Sequence, residues 1–166
     1  MLVAYEMVIP PSPQYITLRP VYHHHEMGLA PSVGLGVALA HPERKVVVIE
    51  GDGSIAMGLS SLVTIAHNQP DNLMIVCMDN QIYEAGGQNP TPNAGRMDFV
   101  KTMEGLGITP ARSVDSPDEL RRTASEFLSH RGCSFLHVPI GKRKGPLHQP
   151  TLKPYEMKHR FRSLFT

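Results

Sequence analysis

Two apolar runs decide what this chain can fold into. Val46-Val47-Val48-Ile49 passes at once into Gly51-Asp52-Gly53-Ser54, and Leu73 to Met78 ends in Asp79-Asn80-Gln81. Short runs of this kind, without polar alternation, mark strands buried on both faces, as in parallel sheets covered by helices. Between them, Ile55 to His67 carries apolar residues at Met57, Leu59, Leu62, Val63, Ile65 and Ala66, which predicts one helix ending near Asn68-Gln69-Pro70-Asp71. A strand, a helix and a strand in about thirty-five residues form a βαβ unit. Each strand closes on a polar turn at the edge of the sheet where ligands of open α/β folds bind.

The flanking segments extend the alternation. Leu2 to Ile9 reads as a short strand stopped by Pro10-Pro11 and Pro13. Tyr15 to Tyr22 reads as a second short strand or a loop, leading into His23-His24-His25-Glu26-Met27-Gly28. Leu29 to Ala40 predicts a tightly packed helix. Gln81 to Arg96, rich in Gly, Pro, Asn and Gln, predicts a loop over the site. Beyond it come a short helix from Phe99 to Gly105, a strand around Ala111 to Val114, a helix capped by Ser116 with Pro117 at its first position, and a strand from Phe135 to Ile140. The expectation is a single α/β domain over residues 1–166, a three-layer sandwich with a mainly parallel central sheet, in which 141–166 form a linker plus C-terminal helix.

Composition narrows the function classes. At 166 residues with 41% hydrophobic and 19% charged residues, the chain can bury a sizeable core. A formal net charge of +1 without a long basic block gives no footprint for nucleic acid. No apolar stretch reaches membrane-spanning length, and Met1 to Ile9 makes a poor signal peptide. Cys77 and Cys133 form neither a disulfide framework nor a CxxC pair, so a reducing cytoplasm is the expected compartment.

The chemistry concentrates in the central stretch. A helix starting at Ser54 presents free backbone N–H groups and the positive end of its dipole to an anion, and Gly51 and Gly53 remove side chains that would block a phosphate. Asp52 adds a carboxylate oxygen and Asn80 a carboxamide oxygen at the end of the neighbouring strand. Mg²⁺ takes hard oxygens in octahedral array and combines one or two protein ligands with phosphate and water.

Gly51-Asp52-Gly53, some twenty-six further residues and then Asn80 resembles the signature of thiamine diphosphate enzymes. The likeness extends from Met27-Gly28-Leu29-Ala30 through Lys45 to Ser54, Ile65-Ala66, Asp79-Asn80 and Gly86-Gly87-Gln88 to the last strand and helix, and is greatest to the diphosphate-binding domain of sulfopyruvate and phosphonopyruvate decarboxylases. The resemblance implies the thiamine diphosphate-binding fold, with Mg²⁺ held by Asp52, Asn80 and the backbone carbonyl of Ile82. It implies cofactor contacts from His25, Met27, Gly51, Asp52, Gly53, Ser54, Asn80, Ile82, Tyr83 and Glu84. Met27 would prop the cofactor in its bent shape, its N–H meeting the pyrimidine ring and the His25 carbonyl the 4′-amino group. Bending brings that amino group beside the reactive carbon of the thiazolium, which serves as electron sink.

Two departures stand out. Glu84 occupies a position where that family commonly has glycine, setting a carboxylate near the diphosphate. His25-Glu26 replaces a common Gly-Ser. His23 and His24 are candidate acid or base groups facing a 2-oxo acid, since histidine titrates near neutral pH; His67, His137 and His148 receive no role. The family also needs a glutamate against the pyrimidine ring, normally from a separate domain across a subunit interface. The expectation is a hetero-oligomer in which a pyrimidine-domain subunit supplies that glutamate. The start lacks the helix that usually precedes the first strand, as a shortened chain would. The alternatives are a fragment of an acetolactate synthase-like carboligase and a non-catalytic scaffold subunit, to which Glu84 lends support.

Overall fold

The computed structural model describes residues 2–8, 17–24, 27–84, 87–142 and 153–163. Its main sheet has the order β2-β1-β3-β4-β8-β7, comprising β1 (Leu2–Val8), β2 (Thr17–His24), β3 (Val46–Gly51), β4 (Leu73–Asp79), β7 (Ala111–Ser113) and β8 (Ser134–Pro139). The apolar runs form the adjacent central strands β3 and β4, paired in parallel from Val46↔Leu73 to Gly51↔Met78. β8 continues the parallel array beside β4 and β7 beside β8. β1 is antiparallel to both its neighbours, so β2 runs in the same direction as β3.

Period-two alternation sends successive residues to opposite faces. On one face Val46, Val48, Ile75, Cys77 and Phe135 pack with helices α1 (Ala30–Ala40), α3 (Leu59–Asn68) and α4 (Phe99–Leu106). On the other, Val47, Met74, Val76, Leu136 and Val138 pack against Leu120, Ala124 and Phe127 of α5 (Pro117–Ser129). Helices therefore cover both faces, as the unalternated strands require. Asn72 fastens α1 to the sheet: its Nδ2 donates to the carbonyls of Ala38, His41 and Arg44, groups left over where the helix ends. Ser116 caps α5 by accepting from the Glu119 N–H, as expected. Helix α6 (Pro154–Arg162) follows the linker, of which residues 143–152 lie outside the described segments. Both cysteines are free and buried, and burial pushes the Cys133 thiol up to about 12. Among the described residues no helix is long and apolar enough to cross a membrane.

Three expectations are corrected. The helix read over Ile55 to His67 is two, α2 (Asp52–Met57) and α3, meeting at Gly58; Gly58 lies so close to the Gly28 backbone that it pins the chain there. The turn read as Gly51 to Ser54 is shorter, because Gly51 is already the N-cap and Asp52 the first helical residue. The Gln81–Arg96 loop contains a small hairpin of β5 (Ile82–Tyr83) and β6 (Asn89–Pro90). Backbone hydrogen bonds from Thr91 N–H to the Gln81 carbonyl and from Gln88 N–H to the Tyr83 carbonyl close it, a pairing that composition does not show.

Candidate functional site

The parallel register sets the site. Gly51 and Met78 are the last paired residues of β3 and β4, so Asp52 and Asn80 emerge at one sheet edge, one and two residues beyond. His23 and His24 end β2, level with Val3 and Leu2 of β1, while Val3 in turn faces Ile49. The backbone therefore brings the two histidines to the edge that carries Asp52, with one strand between. Their side chains, and His25 entirely, lie outside what the structure describes.

Asp52 is 1% exposed, and its Oδ2 accepts from Thr91 Oγ1 at 2.8 Å and Asn93 Nδ2 at 2.9 Å. A carboxylate has about four lone-pair sites on two oxygens, so two donors on Oδ2 leave Oδ1 for a cation. Among the described residues neither Glu50 nor Asp52 has an ion-pair partner. Their field reaches Cys77, whose thiol is pushed well above its usual range by burial first and then by Asp79, Asp52 and Glu50. This edge is electronegative.

Asn80 folds its own loop by accepting the Ile82 N–H at Oδ1, 3.1 Å away, which leaves that oxygen a second lone pair. In the hairpin, Thr91 N–H donates to the Gln81 carbonyl and Gln88 N–H to that of Tyr83. Alternation along an antiparallel strand turns the intervening Ile82 carbonyl away from β6. One carboxylate, one carboxamide and one carbonyl form a hard-oxygen set of the kind Mg²⁺ completes with phosphate and water. The described residues contain no cluster of three His, Cys, Asp or Glu side chains that would hold a metal alone. The donor set fits Mg²⁺ arriving with a diphosphate.

The upstream segment is tied in through Glu50. Gly28 N–H donates to Ser54 Oγ at 2.8 Å and to Glu50 Oε1 at 3.2 Å, and Ser54 Oγ donates to the same carboxylate oxygen in a short hydrogen bond. Met27, 38% exposed, is thereby held beside the first turn of α2. The Ser54 hydroxyl is committed to this tie, so only its backbone remains for the expected cofactor contact; no side chain caps α2.

Glu50 is 1% exposed, and its buried Oε2 has no hydrogen-bond partner among the described residues. Burial raises its pKa, against the hydrogen bonds from Ser54 and Gly28 that lower it. The folded state thus holds this proton to higher pH than the unfolded chain, and stability declines as pH rises from about 4.5 through the folded value. Glu50→Gln cannot ionise and keeps an acceptor for Gly28, so it is expected to flatten that decline. Urea midpoints measured between about pH 4 and 8 check this, and an unchanged slope would count against it.

The space beside Gly53 is filled by the Tyr83 ring and the Thr91 methyl, so its missing side chain admits the hairpin and only its backbone is left for the expected cofactor contact. Tyr83 accordingly lies on α2, and Glu84, half-buried, follows it on the hairpin. Gly51 has no such neighbour; the nearest atom to a Cβ there is the Met78 carbonyl oxygen at 4.0 Å. Sequence reasoning missed Glu50, Thr91 and Asn93. An acid closing an apolar strand was a visible signal for Glu50, whereas Thr91-Pro92-Asn93 offers only turn composition.

The family model for the thiamine pyrophosphate enzyme C-terminal TPP binding domain matches residues 1–138. Phosphonopyruvate decarboxylase of Streptomyces hygroscopicus is 38% identical over 144 residues, 84% of this chain and 35% of that protein. Sulfopyruvate decarboxylase subunit beta of Methanothermobacter thermautotrophicus is 40% identical over 122 residues, 74% of this chain and 62% of that subunit. The chain thus spans about a third of the first relative and about three fifths of the second. Among solved structures, the thiamine diphosphate-dependent 4-hydroxybenzoylformate decarboxylase of Rhodococcus jostii RHA1 matches with a TM-score of 0.62 at 22% identity, over 72% of this chain and 24% of that one, a likeness of fold.

Proposed function

Because the chain belongs to the thiamine pyrophosphate enzyme family, as its C-terminal TPP-binding domain, we propose that it is the diphosphate-binding subunit of a Mg²⁺-dependent 2-oxo acid decarboxylase. The substrate class is a small 2-oxo acid with an anionic tail such as sulfonate or phosphonate, the class named in its relatives. The observation that carries this reading is the pair Asp52 and Asn80 at the exits of β3 and β4, with the Ile82 carbonyl turned off the hairpin. Asp52, Asn80 and Ile82 would hold Mg²⁺. The backbone of Gly51 to Ser54 would face the diphosphate and Met27 the bent cofactor, while Tyr83 packs the hairpin onto α2. Thiamine diphosphate, when bound, supplies the electron sink for loss of CO₂. His23 and His24, whose backbone ends β2 at that sheet edge, would exchange a proton with substrate.

A partner completes the site in this proposal: a pyrimidine-domain subunit that brings the activating glutamate. Met27, Leu29, Met57 and Leu59, which flank Gly28 and Gly58, are all exposed, Met57 to 62%, and Val63, 54% exposed, follows one turn along α3. Apolar side chains gathered beside a ligand site mark an interaction surface. Calorimetric titration of thiamine diphosphate and Mg²⁺ into the chain alone, and into the chain with its co-purifying partner, tests the proposal, followed by CO₂ release from sulfonate-, phosphonate- and methyl-tailed 2-oxo acids. Binding and turnover are expected with the partner present. No cofactor binding even then would refute the enzyme reading; binding without turnover would leave a scaffold.

A further inference from the structure

A second set of polar side chains crosses three strands toward the loop that carries Asn80. Ser113 pairs with His137 in the β7–β8 register, and His137 with Cys77 in the β8–β4 register, two residues before Asp79. Neighbours in register, and residues two apart on one strand, share a face. Accordingly Ser113 Oγ lies 2.8 Å from His137 Nδ1, and His137 Nε2 lies 3.0 Å from Asp79 Oδ2. The other oxygen, Oδ1, accepts the Gln81 N–H at 3.0 Å, and the Asp79 carbonyl accepts the Ile140 N–H. The imidazole is stacked on Phe99 with ring centroids 5.6 Å apart. His137 and Asp79 are 16% and 10% exposed at their side chains, so solvent competes little for their hydrogen bond.

We infer that His137 is a positioning residue for the Asp79–Ile82 loop, holding the Asp79 carboxylate where it fixes the backbone that presents Asn80 and the Ile82 carbonyl. The roles of the atoms follow from donor and acceptor capacity. An ionised Asp79 only accepts, so His137 Nε2 carries hydrogen toward Oδ2. In the neutral ring Nδ1 is then bare and accepts from the Ser113 hydroxyl. With Nε2 pinned on one side and Phe99 stacked on the ring, the Asp79 carboxylate cannot rotate away from Gln81 without breaking a bond largely shielded from solvent. Outer partners that orient metal ligands in this way typically affect metal affinity by about 10–100-fold.

Two measurements test the inference, and only the second rests on the proposed function. In the first, amide hydrogen exchange is followed in the chain itself. His137→Leu is expected to speed exchange at Gln81 and Ile82 about tenfold or more, while core amides such as Val48 and Ile75 keep their protection. His137→Gln, which can still donate to Asp79, is expected to restore most of it. Ser113→Ala, at an exposed serine, keeps the fold and gives a smaller change in the same direction. Unchanged exchange in the loop, or acceleration spread evenly over the core, would overturn the inference. In the second, Mg²⁺ is titrated in the presence of thiamine diphosphate and the co-purifying partner. Affinity about 10–100-fold weaker for His137→Leu, rescued by His137→Gln, is expected. Equal affinity against a wild type that binds would overturn the metal-positioning role. A wild type that does not bind refutes the proposed function instead, and the exchange result then decides on His137 alone.

Discussion

Asp52→Asn is expected to lose Mg²⁺-dependent thiamine diphosphate binding while the fold stands, and Asp52→Ala to lose both. The difference follows from what the carboxylate does in the folded chain. Its Oδ2 accepts from Thr91 and Asn93, themselves only 3% and 6% exposed. An asparagine in the same rotamer offers a carboxamide oxygen to both donors, and it removes the charge and puts an NH2, a donor only, where Oδ1 stood. An alanine leaves a buried hydroxyl and a buried amide without their acceptor, at about 1–3 kcal/mol for each group stranded. Asn93 Oδ1 is also buried without a hydrogen-bond partner among the described residues. For the metal the two variants are alike, because a carboxylate is replaced in both. Loss on the order of a hundredfold or more in Mg²⁺ affinity is expected, at least the upper range seen when only an outer partner is removed. Calorimetry of Mg²⁺ with thiamine diphosphate and the co-purifying partner reads the first effect, and urea denaturation the second. Asp52→Asn binding Mg²⁺ as well as the wild type would remove Asp52 from the metal site.

The same residue shows how far the sequence could be read and where it stopped. Val46 to Ile49 and Leu73 to Met78 are legible as buried parallel strands because burial on both faces leaves them no polar positions, and their exits set Asp52 and Asn80 side by side. The partners that hold Asp52 are not legible. Thr91 and Asn93 are 39 and 41 residues away, in a segment whose composition says only that it turns. Gly53 misleads for a related reason: a missing side chain announces a close approach but not what approaches, and here it is Tyr83 and Thr91. The break between α2 and α3 is hidden because Ile55, Leu59, Leu62, Val63 and Ala66 keep helical spacing across it, past a glycine that a helix tolerates. The apolar residues of that stretch include Met57 and Val63, which the structure leaves exposed. Their apolar character fits a surface that the proposed partner subunit would cover. Ser113, His137 and Asp79 come from three strands, and nothing local joins them before the sheet order is known.

The second large effect is expected at Gly58, where geometry alone decides the outcome. A Cβ placed there would overlap the Gly28 carbonyl oxygen and crowd the Gly28 Cα and carbonyl carbon. All three are backbone atoms, so no side-chain rotation relieves the clash. Gly28 cannot retreat freely either: its φ is +83°, its N–H is shared by Ser54 and Glu50, and a Cβ on it would lie 2.9 Å from the Gly58 nitrogen. Gly58 itself has φ −97° and ψ 24°, which alanine adopts, so the penalty is one of space and not of backbone conformation. Gly58→Ala is therefore expected to destabilise by about 1–3 kcal/mol, the usual cost of overpacking. Gly105, exposed on α4 with nothing within 4 Å of where a methyl would stand, is the matched control. Gly105→Ala is expected to stabilise by about 0.5–1 kcal/mol, because alanine loses less backbone freedom in a helix. Equal denaturation midpoints for the two variants would show that the Gly28–Gly58 contact yields without cost. Displacing Gly28 also moves Met27, so if Met27 meets the cofactor as proposed, Gly58→Ala is further expected to weaken thiamine diphosphate binding measured with the co-purifying partner, an effect that Gly105→Ala should not share.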